Sequence, residues 1–135
     1  MIKVFYGEKG MGKSKMMVDL ANEHADKRLG CVVFIDDSND LMLKLKHEIR
    51  FTDVSVYPVA GADQFLAFIC GIISQNYDIE SIFIDGLTYI LKQDINALEG
   101  FFVSISSLNE KYGIHFIFSI NGHPETMPAF LLNYI

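Results

Sequence analysis

The chain has 135 residues, of which 50% are hydrophobic and 21% are charged. This length and composition are typical of one domain with its own core and exclude a disordered tail or linker, so we predict a single domain over residues 1–135. The 11 basic and 17 acidic side chains give a net charge of −6, which argues against sequence-independent binding to nucleic acid or anionic lipid, because both need a basic surface.

Five strands are predicted where the chain has short runs of apolar, mainly β-branched or aromatic residues. Pro58 limits the third of them, because proline cannot donate to a sheet and is confined to strand ends and edges. In chain order, the strands are expected at residues 2–6, 32–35, 54–59, 82–84 and 114–120.

Helices are predicted between the strands, because apolar residues recur there every three to four positions. Lys27 and Arg28 suit the last turn of the first helix, and Asp63 is expected to cap the third. The fourth is expected to break near Gln93 or Gly100. The helices are predicted at residues 13–29, 39–50, 63–75 and 87–112, before a loop with a last helical turn or two over 124–135.

The alternation of strands with helices predicts a parallel sheet that is covered by helices on both faces. Strands that are apolar on both sides fit this arrangement, because neither face of such a sheet meets water. Ligands of these folds bind at the carboxyl ends of the strands, so the residues that follow each strand form the candidate site.

The segment after the first strand carries the strongest motif of the chain. Its eight residues match G-x-x-x-x-G-K-[ST] at every position, between a predicted strand and a predicted helix, as phosphate binding by backbone N–H groups requires. They are Gly7, Glu8, Lys9, Gly10, Met11, Gly12, Lys13 and Ser14. Lys15 completes the predicted nucleotide-binding segment, although Lys9 and Lys15 also fit ordinary surface lysines.

Each fixed position of the motif has a chemical reason. Gly7, Gly10 and Gly12 permit a positive φ and a close approach of the backbone to phosphate. Lys13 is expected to bridge β- and γ-phosphate oxygens, and the Ser14 hydroxyl is expected to ligate Mg²⁺. The motif therefore predicts a phosphate cradle.

Asp85 ends the predicted strand at 82–84, at the edge of the sheet where ligands bind. A carboxylate there can orient the water shell of Mg²⁺ on the side opposite Ser14. A strand that ends in aspartate is a weak signal alone, because aspartate also caps helices. Together with the phosphate loop, it predicts Asp85 as the second residue of a metal site.

A second acidic segment, with Asp36, Asp37, Ser38 and Asp40, follows the second strand at the same edge. Its carboxylates can hold a metal or polarise water, and Ser38 or Asp40 can instead cap the next helix. We take Asp36 and Asp37 as candidate functional residues and leave both interpretations of the other two open.

With these residues in this order, the chain resembles the RecA-like branch of the P-loop NTPases from Ile2 to about Asn121, nearly its whole length. The resemblance implies a three-layer α/β/α fold with a five-stranded, mainly parallel sheet. It also implies the strand order 5-1-4-3-2, in which the phosphate-loop strand lies between the fifth strand and the strand at 82–84.

The resemblance also implies a set of catalytic candidates. The family uses a glutamate just past the second strand to activate the attacking water, and the matching position here is most nearly Ser38. Asp37 is a possible substitute with a side chain one methylene shorter. This departure implies slow hydrolysis, with Lys13, Asp36, Asp37 and Ser38 as the candidate catalytic residues.

The remaining family features concern the γ-phosphate. A polar residue on the last strand senses it in the family, and Asn121 is the first candidate here and Ser119 the second, although Asn121 also suits a turn. Neither Arg28 nor Arg50 is near the loop in sequence, so an arginine finger would come from another subunit or protein. No Asn-Lys-x-Asp guanine-reading motif is present, which favours ATP with Mg²⁺ over GTP.

These features favour an ATP-binding protein with slow Mg-dependent hydrolysis, acting as a nucleotide switch or as a partner-dependent ATPase. Two alternatives stay open: a non-catalytic assembly or interaction protein that retains nucleotide, and a small-molecule kinase, for which no arginine-rich lid is visible. A mean hydropathy of +0.25 and the adjacent Phe101 and Phe102 suggest an apolar patch. The expected partner is therefore a second copy of the chain or an unidentified protein.

No feature of the sequence indicates secretion or a membrane span. No apolar run approaches 18 residues, and the first strand is too short for the core of a signal peptide. Cys31 and Cys70 form neither a disulfide framework nor a zinc-binding spacing. We therefore expect a cytoplasmic protein.

Overall fold

The computed structural model describes residues 1–27 and 29–135, so the predicted role of Arg28 lies outside the described residues. The described chain forms a five-stranded sheet in which every strand pair is parallel. The strands are β1 (Ile2–Gly7), β2 (Cys31–Asp36), β3 (Arg50–Asp53), β4 (Ile79–Ile84) and β5 (His115–Asn121).

In the described ranges, four α-helices cover the two faces of this sheet: α1 (Lys13–Lys27), α2 (Gly61–Gln75), α3 (Leu87–Leu91) and α4 (Glu99–Tyr112). On one face, α1 packs Met17 and Ala21 against β2, β4 and β5. On the other face, α2, α3 and α4 form the larger cluster. The prediction of a three-layer α/β/α fold with a five-stranded parallel sheet is confirmed.

The order of the strands is β1-β5-β4-β2-β3, which differs from the predicted 5-1-4-3-2. The phosphate-loop strand β1 pairs with β5 and is the edge strand, so β5 lies between it and β4. The burial of the strands explains this order. Five consecutive residues are buried in both β5 and β2, whereas β1 buries only Val4 and β3 buries none. The most apolar strands therefore take the inner positions, where both faces are covered.

The segment between β2 and α2 departs most from its prediction. The helix expected at 39–50 is absent, and a short 3₁₀ turn over Met42–Lys44 stands in its place. The Asn22 side chain on α1 accepts from the backbone of Lys46 at 2.9 Å and donates to that of Lys44 at 3.0 Å. These bonds occupy backbone groups that a helix would need, and they tie the segment to α1.

The third strand lies four residues earlier than predicted, at Arg50–Asp53 instead of 54–59. The Asp53 carboxylate accepts from the backbone N–H of Ser55 at 3.0 Å and ends the strand in a 3₁₀ turn over Val54–Val56. Helix α2 begins at Gly61 after Ala60, and the predicted cap Asp63 lies in its first turn instead. The long helix predicted at 87–112 does break, between Leu91 and Glu99.

The Phe101–Phe102 pair does not create an exposed patch, which corrects the argument for self-association. Both side chains are buried, with exposed fractions of 6% and 0%. Phe101 packs on Phe65. Phe102 packs on Tyr134 from the carboxyl-terminal segment, with ring centroids 5.2 Å apart. Within the described ranges, no helix is long and apolar enough to cross a bilayer.

Candidate functional site

The phosphate-loop motif joins β1 to α1 at the carboxyl edge of the sheet. Gly10 and Gly12 have φ values of +88° and +81°, a left-handed conformation that costs a residue with a Cβ roughly 1–2 kcal/mol. Gly7 differs from the prediction, because it ends β1 without a positive φ. Its carbonyl accepts from the backbone N–H of Gly122 at 3.0 Å, so the loop is fixed to the segment after β5.

The Lys13 side chain lies across this loop. Its ammonium donates to the carbonyl of Gly7 at 2.9 Å and to that of Glu8 at 2.7 Å. Burial lowers the pKa of Lys13, and the negative charge of Asp85 opposes that shift. The ammonium is thus held at the loop, on the side of the sheet edge where Asp85 lies.

Asp85 connects three elements of the site. Its carboxylate accepts from the Ser14 hydroxyl at 2.9 Å and from the Ser119 hydroxyl at 2.5 Å. Ser119 in turn accepts from the backbone N–H of Gly86 at 2.8 Å. Asp85 and Ser119 are 7% and 3% exposed, so β4, β5 and the start of α1 meet at a largely dry carboxylate.

Asp36 lies beside Asp85, because β2 and β4 are neighbours and Ile35 pairs with Ile84. Its side chain accepts from the backbone N–H of Asp37 at 2.7 Å. Burial, together with the neighbouring carboxylates of Asp85 and Asp37, raises the pKa of Asp36 to about 7, although the hydrogen bond from the Asp37 N–H opposes this shift. This carboxyl can therefore hold or release a proton near neutral pH.

The residues after Asp36 form an exposed loop. The Ser38 hydroxyl accepts from the backbone N–H of Asp40 at 3.3 Å, so Ser38 stabilises a turn, and the helix that it was expected to cap is absent. Asp37 and Asp40 are exposed. Neither makes an ion pair with any other described residue.

A cleft of about 700 Å³ joins these groups. Most predicted residues line it, and three loop residues, Gly7, Glu8 and Met11, do not. The Glu8 carboxylate lies 3.7 Å from the His123 ring, and Met11 is 70% exposed at the tip of the loop. The predicted residues in the lining are Lys9, Gly10, Gly12, Lys13, Ser14, Lys15, Asp36, Asp37, Ser38, Asp85, Ser119 and Asn121.

Three further residues from the sequence analysis differ in their position relative to the cleft. Lys15 lines the cleft, but its ammonium bonds to Asp19 at 2.8 Å, which raises the pKa of Lys15. Asn121 is half-buried at the end of β5, opposite Gly7 in the strand register. Arg50 begins β3 at the amino edge of the sheet and donates to Asn76. Arg50 is therefore remote from the cleft.

Tyr89 lines the cleft from α3 and was not among the predicted site residues. Gly86 has a φ of +73° and turns the chain directly after Asp85, and the Tyr89 ring lies close to it. A glycine directly after a strand-ending aspartate, with an aromatic residue one helical turn later, was the available signal.

No family model and no curated protein matches the chain. Among solved structures, the crystal structure of the flagellar accessory protein FlaH from Methanocaldococcus jannaschii is similar, with a TM-score of 0.58 and 18% sequence identity. The match covers 98% of this chain and 65% of that chain. At this sequence identity the match shows the fold alone. The chain has an α/β fold similar to that of FlaH.

Proposed function

We propose that the protein binds ATP with Mg²⁺ in the phosphate cleft and hydrolyses it slowly, as a nucleotide switch or a partner-dependent ATPase. The hydrogen bond from Ser14 to Asp85 carries the proposal. It joins the last residue of the phosphate motif to the carboxylate that follows β4. The two groups are distant in sequence, and each was predicted separately for the same metal site.

The side chains at the cleft fit a magnesium nucleotide. The Ser14 hydroxyl and the Asp85 carboxylate are oxygen donors, which Mg²⁺ prefers together with phosphate oxygens. Backbone N–H groups at the start of α1 and the Lys13 ammonium supply positive charge for the phosphates. When bound, Mg²⁺ would neutralise charge on the β- and γ-phosphates.

The groups near the proposed γ-phosphate position favour slow turnover. No glutamate and no arginine is among the described residues that line the cleft. Asp36 is the carboxyl best suited to take a proton, because its pKa lies near neutrality. Asp37 is exposed and is the second candidate, and Ser38 has no acidic group. A partner could supply the missing cation.

The switch requires that ATP and ADP favour different arrangements of some segment. We infer that the loop from Asp37 to Leu41 is this segment, because it lines the cleft and its residues 37, 39 and 40 are exposed. The segment after Asn121 is the second candidate.

The first experiment is calorimetric binding of Mg-ATP, Mg-ADP and Mg-GTP, with phosphate release followed in the same samples. Lys13→Ala should weaken ATP binding by about ten- to a hundredfold, because it removes a charge-assisted contact of about 1.5–3 kcal/mol. Lys27→Ala is the matched control on the same helix. Lys27 lies outside the cleft lining and its ammonium pairs with Glu23 in solvent, so the affinity should stay within about twofold.

The outcomes separate the competing functions. ATP binding that depends on Lys13, with about one turnover per minute or slower, supports the switch. Tight binding without phosphate release favours a non-catalytic assembly protein that retains nucleotide. If no nucleotide binds to the wild type, the proposal is wrong.

A further inference from the structure

A second cleft adjoins the phosphate cleft beyond Tyr89. Its volume is about 560 Å³, which is within the range of small-molecule sites. Asp37 and Tyr89 line both clefts. The proposed nucleotide site makes no use of the rest of this second cleft.

The floor and one wall of the second cleft are fixed by local hydrogen bonds. Asp53 accepts from both the backbone N–H and the hydroxyl of Ser55, which fixes the turn that buries Val54. The backbone N–H of Tyr57 donates to the Val54 carbonyl at 3.1 Å. The Gln64 side chain accepts from the backbone N–H of Ala60 at 2.8 Å. The cleft is therefore built into the fold.

The lining of this cleft suits an aromatic molecule. Val54 and Ile90 are buried in it, with exposed fractions of 4% and 5%, whereas the tyrosines 57 and 89 are each about half exposed, at 52% and 50%. The Tyr57 ring is held by Phe68, with centroids 5.9 Å apart. Two tyrosine rings above an apolar floor favour a flat apolar ligand, because aromatic rings stack with specific geometry.

Lys92 gives the second cleft a positive group of its own. It lines this cleft alone and makes no ion pair with any residue in the described ranges, whereas the acidic Asp37 lines both clefts. Lys92 ends α3 in the left-handed conformation, with a φ of +54°. Its ammonium favours a ligand that carries a carboxylate, because charge-assisted hydrogen bonds are the stronger ones.

We propose that this second cleft binds a small aromatic carboxylate, and that its occupancy is coupled to that of the phosphate cleft through Asp37 and Tyr89. The binding claim stands on the cleft alone. The coupling claim rests on the proposed nucleotide function.

The test uses phenylacetate as the probe and maps backbone amide shifts by NMR. Phenylacetate should move amides within residues 54–60 and 89–92, and its uncharged analogue phenylacetamide should bind at least fivefold more weakly. Lys92→Gly removes the ammonium and also relieves the positive φ, so it should raise the Tm while weakening phenylacetate binding about tenfold. The same variant should leave phenylacetamide binding unchanged. Lys111→Ala, an exposed lysine on α4, should leave both affinities unchanged.

Three results would overturn the binding claim. The first is the absence of shifts. The second is shifts confined to the phosphate loop or to a third cleft, of about 320 Å³, that residues within 70–79 and 108–114 line. The third is equal phenylacetate affinity of wild type and Lys92→Gly. Saturating Mg-ADP should change the phenylacetate affinity about fivefold, a typical coupling between sites. An unchanged affinity would refute the coupling. A protein that binds phenylacetate but no nucleotide would refute the proposed function and leave the second site standing.

Discussion

On the β4–β5 side of the phosphate cleft, Asp85 accepts from Ser14 and Ser119, and Ser119 accepts from Gly86. On the β2 side, the loop that follows Asp36 is exposed and is held by the contact from Asp40 to Ser38 at 3.3 Å. Both sides are acidic and end parallel strands at the same edge. They differ in how many partners hold each carboxylate.

This difference separates two tasks. Asp85 is buried and is bonded to the buried Ser119 hydroxyl, so it keeps its position when a ligand arrives, because this bond is shielded from water. An exposed loop with few bonds opens locally at little cost in free energy. We therefore assign ligand positioning to the β4–β5 side and ligand-dependent movement to the β2 side.

The largest expected effect of this difference is on the gain in ATP affinity when Mg²⁺ is added. Asp85→Asn keeps a side chain of the same shape and removes the charge, so it should reduce the gain in ATP affinity on adding Mg²⁺ by about ten- to a hundredfold. Binding should be measured by calorimetry with Mg²⁺ and with EDTA. Asp40→Asn is the control from the β2 side and should change the gain less than about twofold. Equal effects of the two substitutions would contradict the assigned division of tasks.

The next effect is on stability. Ser119→Ala removes the bond to Asp85 and leaves the Gly86 N–H without its acceptor, so it should lower the free energy of unfolding by about 2 kcal/mol in urea denaturation. Ser38→Ala removes one exposed contact and should cost less than about 0.5 kcal/mol. If the two variants are equally stable, the β4–β5 side is not the more firmly held one.

The same contrast explains what could be predicted from the sequence. The phosphate loop is a contiguous motif whose glycines and lysine act through their own backbone and neighbours, so its position between β1 and α1 follows from local patterns. Asp85 and Asp36 were predicted at the site because the carboxyl ends of parallel strands share one edge.

The β2 side could not be predicted in this way. Residues 41, 45 and 49 have helical spacing, but the Asn22 side chain, more than twenty residues away, bonds the backbone of Lys44 and Lys46. The strand order also depends on tertiary burial, because the more buried strands β5 and β2 occupy inner positions and β1 and β3 occupy the edges. The second cleft brings together residues from three separate segments, and no local pattern marks it.

The last expected effect concerns the titration of Asp36, the residue at the boundary between the two sides. Its pKa is raised to about 7 in the folded protein, whereas an unfolded aspartate titrates near 3.9. Between these values the folded state binds more protons than the unfolded state, so stability falls as the pH rises from about 4 to about 7.

Asp36→Asn tests this directly, because asparagine can still accept from the Asp37 N–H but cannot ionise. The variant should be more stable than wild type at pH 8, by up to about 4 kcal/mol for the full change in pKa, and should show little difference at pH 4, where the wild-type carboxyl is protonated in the folded state. Urea denaturation in EDTA across this range measures both values. Asp40→Asn, an exposed residue of the same loop, is the control and should reproduce the wild-type slope. A wild-type slope in Asp36→Asn would mean that Asp36 ionises freely in the folded protein, and Asp37 would then be the stronger candidate for the proton acceptor.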